Sequence, residues 1–224
     1  MSSAKRIVPK RPRSRLVRDA IHGDIQISAL EAAVIDTRVF QRLRYIRQNG
    51  LLHFIFPGAV HTRFAHSIGT MAVAGQVLTR LADVLEPDSH GGLEYVASVF
   101  RLAALLHDVG HCAFSHSSER VRLDDQALFG TLRERLTDWK QSRLIAQMDV
   151  AFPRRLDQQA MHEELGLALV YHLFQKPNVD ELCQQELQAS AETVATDIRA
   201  LMNGGLHFPP VPIISETTSL LRSV

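Results

Sequence analysis

The stretch Leu102-Ala-Ala-Leu-Leu-His107-Asp108-Val-Gly-His111 decides the fold. In it, a run of aliphatic residues is followed directly by a histidine and an aspartate. The aliphatic run is typical of a helix buried by its neighbours. An imidazole and a carboxylate at the end of such a helix cost free energy unless both are satisfied. Adjacent helical side chains diverge by about 100°, so both can reach one cation between them, and this donor pair suits borderline divalent metals. We therefore expect a metal site; an ordinary structural histidine is the alternative, since a His-Asp pair alone occurs by chance.

Outward from this stretch, the spacing of apolar residues predicts a helical protein. A short extended piece is expected over 21–28, and Ser28 is placed to cap a helix that starts at Ala29. Gly50 is placed to end a helix over 36–49. Further helices are predicted at 63–85, 93–108, 117–128, 129–147, 160–175 and 178–202. The expected fold class is therefore all-α, a helical bundle with minor extended or hairpin segments.

Composition limits the kind of protein this can be. The chain has 224 residues, of which 46% are hydrophobic and 22% charged, with a formal net charge of +1, the balance of an ordinary globular protein. No apolar run approaches the ~18 residues of a membrane-spanning helix, and no signal peptide is expected, so we expect no membrane association. The two cysteines, Cys112 and Cys183, are expected to be reduced thiols of a cytoplasmic protein.

Residues 1–18 form a basic segment, with lysines and arginines throughout and no acid. A segment this charged and this poor in apolar groups cannot offset its own ordering entropy. We expect a solvated, partly disordered arm, separate from a folded domain over 19–224. The alternative is that the arm holds phosphates, of a nucleotide or of single-stranded nucleic acid.

Several ordered blocks between residues 15 and 170 resemble the HD-domain superfamily. Within it they are most similar to the deoxynucleoside triphosphate triphosphohydrolases related to bacterial dGTPases and to the animal SAM-and-HD-domain enzyme. The blocks are Ile21-His-Gly-Asp24, residues 36–48 (DTRVFQRLRYIRQ), residues 56–69 (FPGAVHTRFAHSIG), residues 107–116 (HDVGHCAFSH), Met161-His-Glu163 and Gly166. The resemblance implies an HD-domain helical bundle and a metal-dependent phosphohydrolase.

The resemblance also implies which residues bind the metal. His66, His107 and Asp108 match three of the family's four ligands to a divalent ion, and the ion itself (Mn, Fe, Ni, Zn or Mg) is left open. The fourth ligand in the family is an aspartate in a later motif that this sequence lacks, since the chain stops at Val224 in what resembles the segment leading into it. We expect either a piece of a longer enzyme or a shortened chain, with weaker metal binding and lower activity.

Substrate and proton-transfer residues follow from the same resemblance. Arg63, His111, His116 and His162 match positions that contact the substrate phosphates or transfer protons, and Gln48 matches a position near the sugar and base. The implied reaction is attack of a metal-activated water on the α-phosphorus, with a histidine protonating the departing 5′ oxygen. The products are a deoxynucleoside and triphosphate. The alternatives are a surface ion pair for Arg63, a helix cap for His111, and core histidines for His116 and His162.

Three functions remain open at this point. The first is hydrolysis of deoxynucleoside triphosphates by a homo-oligomer, as the resemblance implies. The second keeps the metal site but changes the substrate to another nucleotide. The third is a non-catalytic regulatory or nucleic-acid-binding module that uses the basic arm.

Overall fold

The computed structural model describes residues 15–82, 90–115 and 162–202, and within them the chain is mainly helical. The all-α expectation is thus confirmed. Two short strands, β1 (Arg15–Asp19) and β2 (Gly23–Ile27), precede the helices. The helices are α1 (Ala29–Ile35), α2 (Arg38–Gln41), α3 (Arg63–Ala82), α4 (His90–Leu106), α5 (His162–Phe174), α6 (Pro177–Leu187) and α7 (Ala191–Met202), with 3-10 turns at Arg42–Tyr45 and Leu52–Phe54.

The two strands form an antiparallel hairpin in which Arg15 pairs with Ile27 and Asp19 with Gly23. Asp19 Oδ1 accepts the backbone N–H groups of Ile21 and His22 at 2.8 and 2.9 Å, so the turn between the strands is closed by a side chain. The extended piece expected over 21–28 is β2. The last four residues of the expected basic arm lie in β1, and residues 1–14 lie outside the described part of the chain.

Helix α1 begins where the sequence predicts. The hydroxyl of Ser28 accepts the backbone N–H of Glu31, and a carboxylate oxygen of Glu31 accepts the N–H of Ser28, which is a reciprocal capping box. A carboxylate from α6 also reaches this end, because Glu186 accepts the N–H of Ala29 at 3.1 Å. The first turn of α1 is therefore fixed both by its own capping box and by a carboxylate from α6, which is distant in sequence.

The helix expected over 36–49 is wrong beyond its first half. Helix α2 passes into the 3-10 turn, and Ile46 is extended. The reason is tertiary: the carbonyl of Ile46 accepts the N–H of Arg63 at 2.8 Å, and the N–H of Gln48 donates to the carbonyl of His61 at 3.1 Å. A continuous helix would use these groups internally, whereas here they hold the start of α3.

Helix α4 lies at the centre of the core. Its residues Val99, Leu102, Leu105 and Leu106 are at most 1% exposed, and it packs against both α3 and α7. Burying one such side chain stabilises the fold by about 1.5–3 kcal/mol. The helix extends from His90 rather than residue 93 and ends two residues short of Asp108. The positions of His107 and Asp108 are therefore set by the turn that follows this buried helix.

The single helix expected over 178–202 is two helices. Gln188 ends α6 in the left-handed conformation, with φ of 54°, and Ser190 caps α7 by accepting the N–H of Thr193 at 3.1 Å. Because a left-handed residue cannot continue a right-handed helix, the chain turns there. The predicted helices at 117–128 and 129–147 lie outside the described residues.

Two further expectations concern the whole chain. In the part that the structure describes, no helix is both long and apolar enough to cross a bilayer. Cys112 and Cys183 are both free thiols, and burial raises the pKa of Cys183 to about 12. Cys183 therefore behaves as a small core residue.

Candidate metal centre

Three of the predicted ligands converge at one point. His66 comes from the first turn of α3, whereas His107 and Asp108 come from the turn after α4. The Nε2 atoms of His66 and His107 are 3.2 Å apart. Asp108 Oδ1 is 3.4 Å from His107 Nε2, and Oδ2 is 3.7 Å from His66 Nε2. His66, His107 and Asp108 are thus a candidate ligand group, with ligand atoms all within 4.8 Å of one another.

These separations fit one divalent cation. Ligand atoms at about 2.1 Å from an ion lie roughly 3–3.4 Å apart in octahedral or tetrahedral geometry, close to the distances found. Two imidazoles and a carboxylate form a donor set that Mn, Fe, Ni and Zn accept. His66 and His107 are each about one-third exposed in their side chains, whereas Asp108 is 9% exposed. The group is therefore reachable from one side and closed on the other.

His107 is oriented by the helix that precedes it. Its Nδ1 lies 2.8 Å from the carbonyl of Ala104, and because a carbonyl only accepts, Nδ1 carries the hydrogen. Nε2 then has its lone pair free, directed toward His66. A metal-binding histidine usually has its other ring nitrogen held in this way, so His107 already has the tautomer that a metal ligand needs.

Arg63 holds the carboxylate of Asp108 from behind. Its Nη1 donates to Asp108 Oδ2 at 2.5 Å, its Nε to the hydroxyl of Ser115 at 2.9 Å, and its Nη2 to the carbonyl of Gln48 at 3.3 Å. Ser115 in turn donates to the carbonyl of Arg47 at 2.8 Å. Arg63 is only 2% exposed, so the alternative of a surface ion pair is wrong. The ion pair is buried and leads directly to a predicted ligand.

The charges around Asp108 keep it ionised. Burial acts to raise its pKa, but the hydrogen bond from His111 and the favourable electrostatic interactions with His107 and Arg63 outweigh burial and hold the pKa well below the usual range of an aspartate. Burial lowers the pKa of His66, with a further lowering from His107. Asp108 is thus an anionic donor, and the lowered pKa of His66 favours the neutral imidazole that a metal requires.

Two of the three predicted proton-transfer histidines lie together. The rings of His111 and His162 are stacked, with centroids 3.7 Å apart and 15° between their planes. His111 is 1% exposed and lies 3.4 Å from Asp108 Oδ1 through its Nε2, whereas His162 is half-buried. Burial lowers the pKa of His111. His116 lies outside the described residues.

Gln48 lies at the edge of the group. Its carbonyl accepts from Arg63, and its side-chain Oε1 is buried with no hydrogen-bond partner among the described residues. The structure thus places it beside the other predicted substrate residues. Two aspartates late in the described part of the chain have other partners: Asp197 accepts the hydroxyl of Tyr95 at 2.6 Å, and Asp180 accepts the N–H of Ala191 at 2.9 Å.

Arg42 is a residue of this centre that the sequence did not single out. Its guanidinium donates to the carbonyls of Val109 and His111, which belong to the turn that carries Asp108. Arg42 lies in the block of residues 36–48 that resembles the HD superfamily, and that block is the one signal that could have drawn attention to it. Its contact with a turn far along the chain could not be predicted from spacing.

The match to a known family covers this region. The sequence model of the family described as the HD domain matches residues 63–195, more than half of the chain. The chain belongs to the HD domain family. The matched residues run from the buried arginine of α3 to α7, so the ligand group and the stacked histidines lie within the HD domain.

Similar proteins cover the same region in part. The deoxynucleoside triphosphate triphosphohydrolase SAMHD1 of Xenopus laevis is 43% identical over 102 residues, and that of Homo sapiens is 42% identical over 102 residues; each match is 46% of this chain and 16% of the relative. An uncharacterized protein of Methanocaldococcus jannaschii is 42% identical over 106 residues, 47% of this chain and 21% of that protein. The HD domain chain thus matches only a minor part of each of these longer proteins.

Proposed function

We propose that this HD domain protein is a metal-dependent phosphohydrolase that acts on deoxynucleoside triphosphates. The observation that carries the proposal is the convergence of His66, His107 and Asp108, whose ligand atoms lie within 4.8 Å of one another. A divalent ion bound by them would supply Lewis-acid activation of a water and of a phosphoryl oxygen. The similarity to proteins named deoxynucleoside triphosphate triphosphohydrolase supports the substrate class.

Arg63 has donors for both a carboxylate and a substrate. A guanidinium has five N–H groups, and three of them are used by Asp108, Ser115 and Gln48. The remaining two can donate to a phosphoryl oxygen where negative charge develops. We expect Arg63 to hold Asp108 and the α-phosphate at the same time.

His162 is the better placed of the two stacked histidines to protonate the leaving group. His111 is buried and engaged with Asp108, whereas His162 is half-buried and stacks on it. In the proposed reaction a water oxygen bonds to the α-phosphorus and the proton that the water loses passes to solvent. The bond between the α-phosphorus and the 5′ oxygen breaks, and the 5′ oxygen takes a proton from His162, which regains one from solvent. Gln48 and His116 remain predicted substrate residues.

Metal content tests the proposal first. We expect about one transition-metal ion per chain, measured by plasma mass spectrometry after incubation with Mn²⁺ and desalting. His107→Ala should lose the ion, whereas the matched control His172→Ala, at an exposed position of α5, should keep it. No bound ion in the unchanged protein, or equal loss in both variants, would contradict the proposal.

The reaction itself is tested by its products. Incubating the metal-loaded protein with deoxynucleoside triphosphates in ¹⁸O-water should release a deoxynucleoside and triphosphate, with the label in the triphosphate because attack is at phosphorus. Release of inorganic phosphate or pyrophosphate would instead indicate another phosphohydrolase reaction. No turnover with any nucleotide, despite bound metal, would favour the non-catalytic alternative.

The described structure offers that alternative little support. Two cations of the basic segment are already paired within the protein, Arg15 with Asp36 at 2.7 Å and Arg18 with Asp24 at 2.8 Å. Both ion pairs are exposed to solvent, and such pairs contribute little free energy. Single-stranded nucleic-acid binding by the basic arm of residues 1–18 and assembly into a homo-oligomer remain predictions.

A further inference from the structure

Arg42 is a partly buried cation whose guanidinium donates to the backbone of a distant turn. It lies in the 3-10 turn at residues 42–45 and is only partly accessible, and burial lowers its pKa. None of the ion pairs formed within the described residues involves it. A desolvated guanidinium is costly unless its N–H groups find acceptors. Its acceptors are backbone carbonyls of a single turn, so its position must be explained by that turn.

The two carbonyls belong to Val109 and His111, on either side of Gly110. Nη1 of Arg42 donates to the carbonyl of His111 at 2.5 Å, and Nη2 donates to that of Val109. Both carbonyls lie just past the C-terminal end of α4, where the helix dipole favours a positive charge. The planar guanidinium offers two parallel donors, which suits two carbonyls facing the same way. A shift of the turn would lose both hydrogen bonds together.

We propose that Arg42 is a positioning residue that fixes the turn carrying Asp108 and His111, and thereby sets the affinity of the metal group. The proposal rests on the proposed metal site. The hydrogen bonds of Arg42 go to backbone carbonyls and not to the side chains of the ligand group, so its influence passes through the backbone of Val109 and His111. Partners that orient metal ligands typically change affinity by about 10- to 100-fold when removed, and we expect Arg42→Met to fall in that range.

The first test needs no metal. Val109 N–H donates to Leu106 and His111 N–H donates to Asp108, so hydrogen exchange of these two amides, followed by NMR in metal-free protein, reports on the turn. In Arg42→Met both should exchange about tenfold faster, as expected for the loss of two hydrogen bonds. The core amide of Met71 should keep its rate, which excludes global unfolding. Unchanged exchange at Val109 and His111 would overturn the proposal.

The second test is Mn²⁺ affinity by calorimetry. Arg42→Met should bind at least tenfold more weakly, Arg42→Lys should fall between it and the unchanged protein, and Arg38→Met, at an exposed position of α2, should match the unchanged protein. Faster exchange with unchanged Mn²⁺ affinity would overturn the link to the metal group. If the unchanged protein bound no Mn²⁺, the proposed function would fail, while the exchange rates would still decide whether Arg42 fixes the turn.

Discussion

The backbone of Gly110 lies directly against that of Gly166, where the turn after α4 meets α5. A Cβ atom added to Gly110 would overlap the carbonyl oxygen of His162 and the backbone nitrogen of Gly166. No side chain fits there without moving one of the two segments. This close approach brings the ring of His162 to that of His111.

The two glycines should therefore respond differently to alanine. A Cβ at Gly166 would meet Gly110 at 3.5 Å and Met202 at 3.8 Å, which is ordinary contact. We expect Gly110→Ala to destabilise the protein by about 1–3 kcal/mol through overpacking and to reduce activity further by separating His111 from His162. Gly166→Ala should be near neutral. Urea unfolding measures the first effect and steady-state kinetics the second; equal effects of both variants would contradict the close approach.

The Arg63–Asp108 ion pair should show strong coupling. Removing one partner of a buried pair leaves an uncompensated charge and costs about 3–5 kcal/mol, so Arg63→Met and Asp108→Asn should each destabilise the protein in a chelator. The double variant should cost much less than the sum of the two, because neither charge remains. The free energy of unfolding of all four proteins gives the coupling. Additive losses would mean that the two side chains do not interact.

The burial of Asp197 beside Tyr95 should make stability depend on pH. Burial raises the pKa of Asp197, and although the Tyr95 hydroxyl opposes this, the net shift is upward. In the pH window between its ordinary unfolded value and the raised folded value, the folded state binds the extra proton. Stability from this group is therefore greatest below the unfolded pKa and falls as pH rises through the folded pKa.

Asp197→Asn removes that ionisation while keeping an acceptor for Tyr95. The stability of Asp197→Asn relative to the unchanged protein should increase as pH rises from about 4 to 7, as measured by urea unfolding at each pH. The matched variant Tyr95→Phe leaves the carboxylate without its donor, and at pH 7 we expect it to cost about 1–3 kcal/mol. A stability difference that is constant with pH would refute the raised pKa.

The capping box of α1 gives a prediction independent of the metal. Ser28→Ala removes the acceptor for the N–H of Glu31 and should cost about 1 kcal/mol. The control is Ser98→Ala within α4, where the hydroxyl only returns to the carbonyl of Glu94 at 2.9 Å; it should be neutral or slightly stabilising, because alanine is the better helix former. The thermal unfolding midpoints of the two variants show whether the loss of stability comes from the missing helix cap or from the removal of any serine hydroxyl.

The sequence predicted elements whose signals are local. The cap at Ser28 and the long helix from Arg63 depend on residues that are neighbours along the chain, and both were correct. The helix expected over 36–49 failed because hydrogen bonds from Ile46 and Gln48 to the start of α3 replace helical ones. No periodicity reveals such competition, since the competing groups are distant in sequence.

The residues of the candidate site also fall into those that the sequence could predict and those that it could not. His66, His107 and Asp108 could be identified because their spacing and surrounding residues resemble a family, and the structure brings them together. The buried pairing of Arg63 and the reach of Arg42 to Val109 could not be, because both depend on how α3 and the 3-10 turn lie against the end of α4. A sequence indicates which donors exist but not which acceptors they meet.

The pairing of Arg63 with Asp108 also bears on the order in which this protein is assembled. Small zinc modules remain unfolded until metal arrives, because nothing else compensates their ligands. Here the carboxylate already has a countercharge supplied by the polypeptide itself, so a chelated sample should keep its helical circular dichroism spectrum. Metal binding then becomes a reversible step that follows folding. The fraction of active chains would therefore depend on the metal concentration and not on whether metal was present while the chain folded.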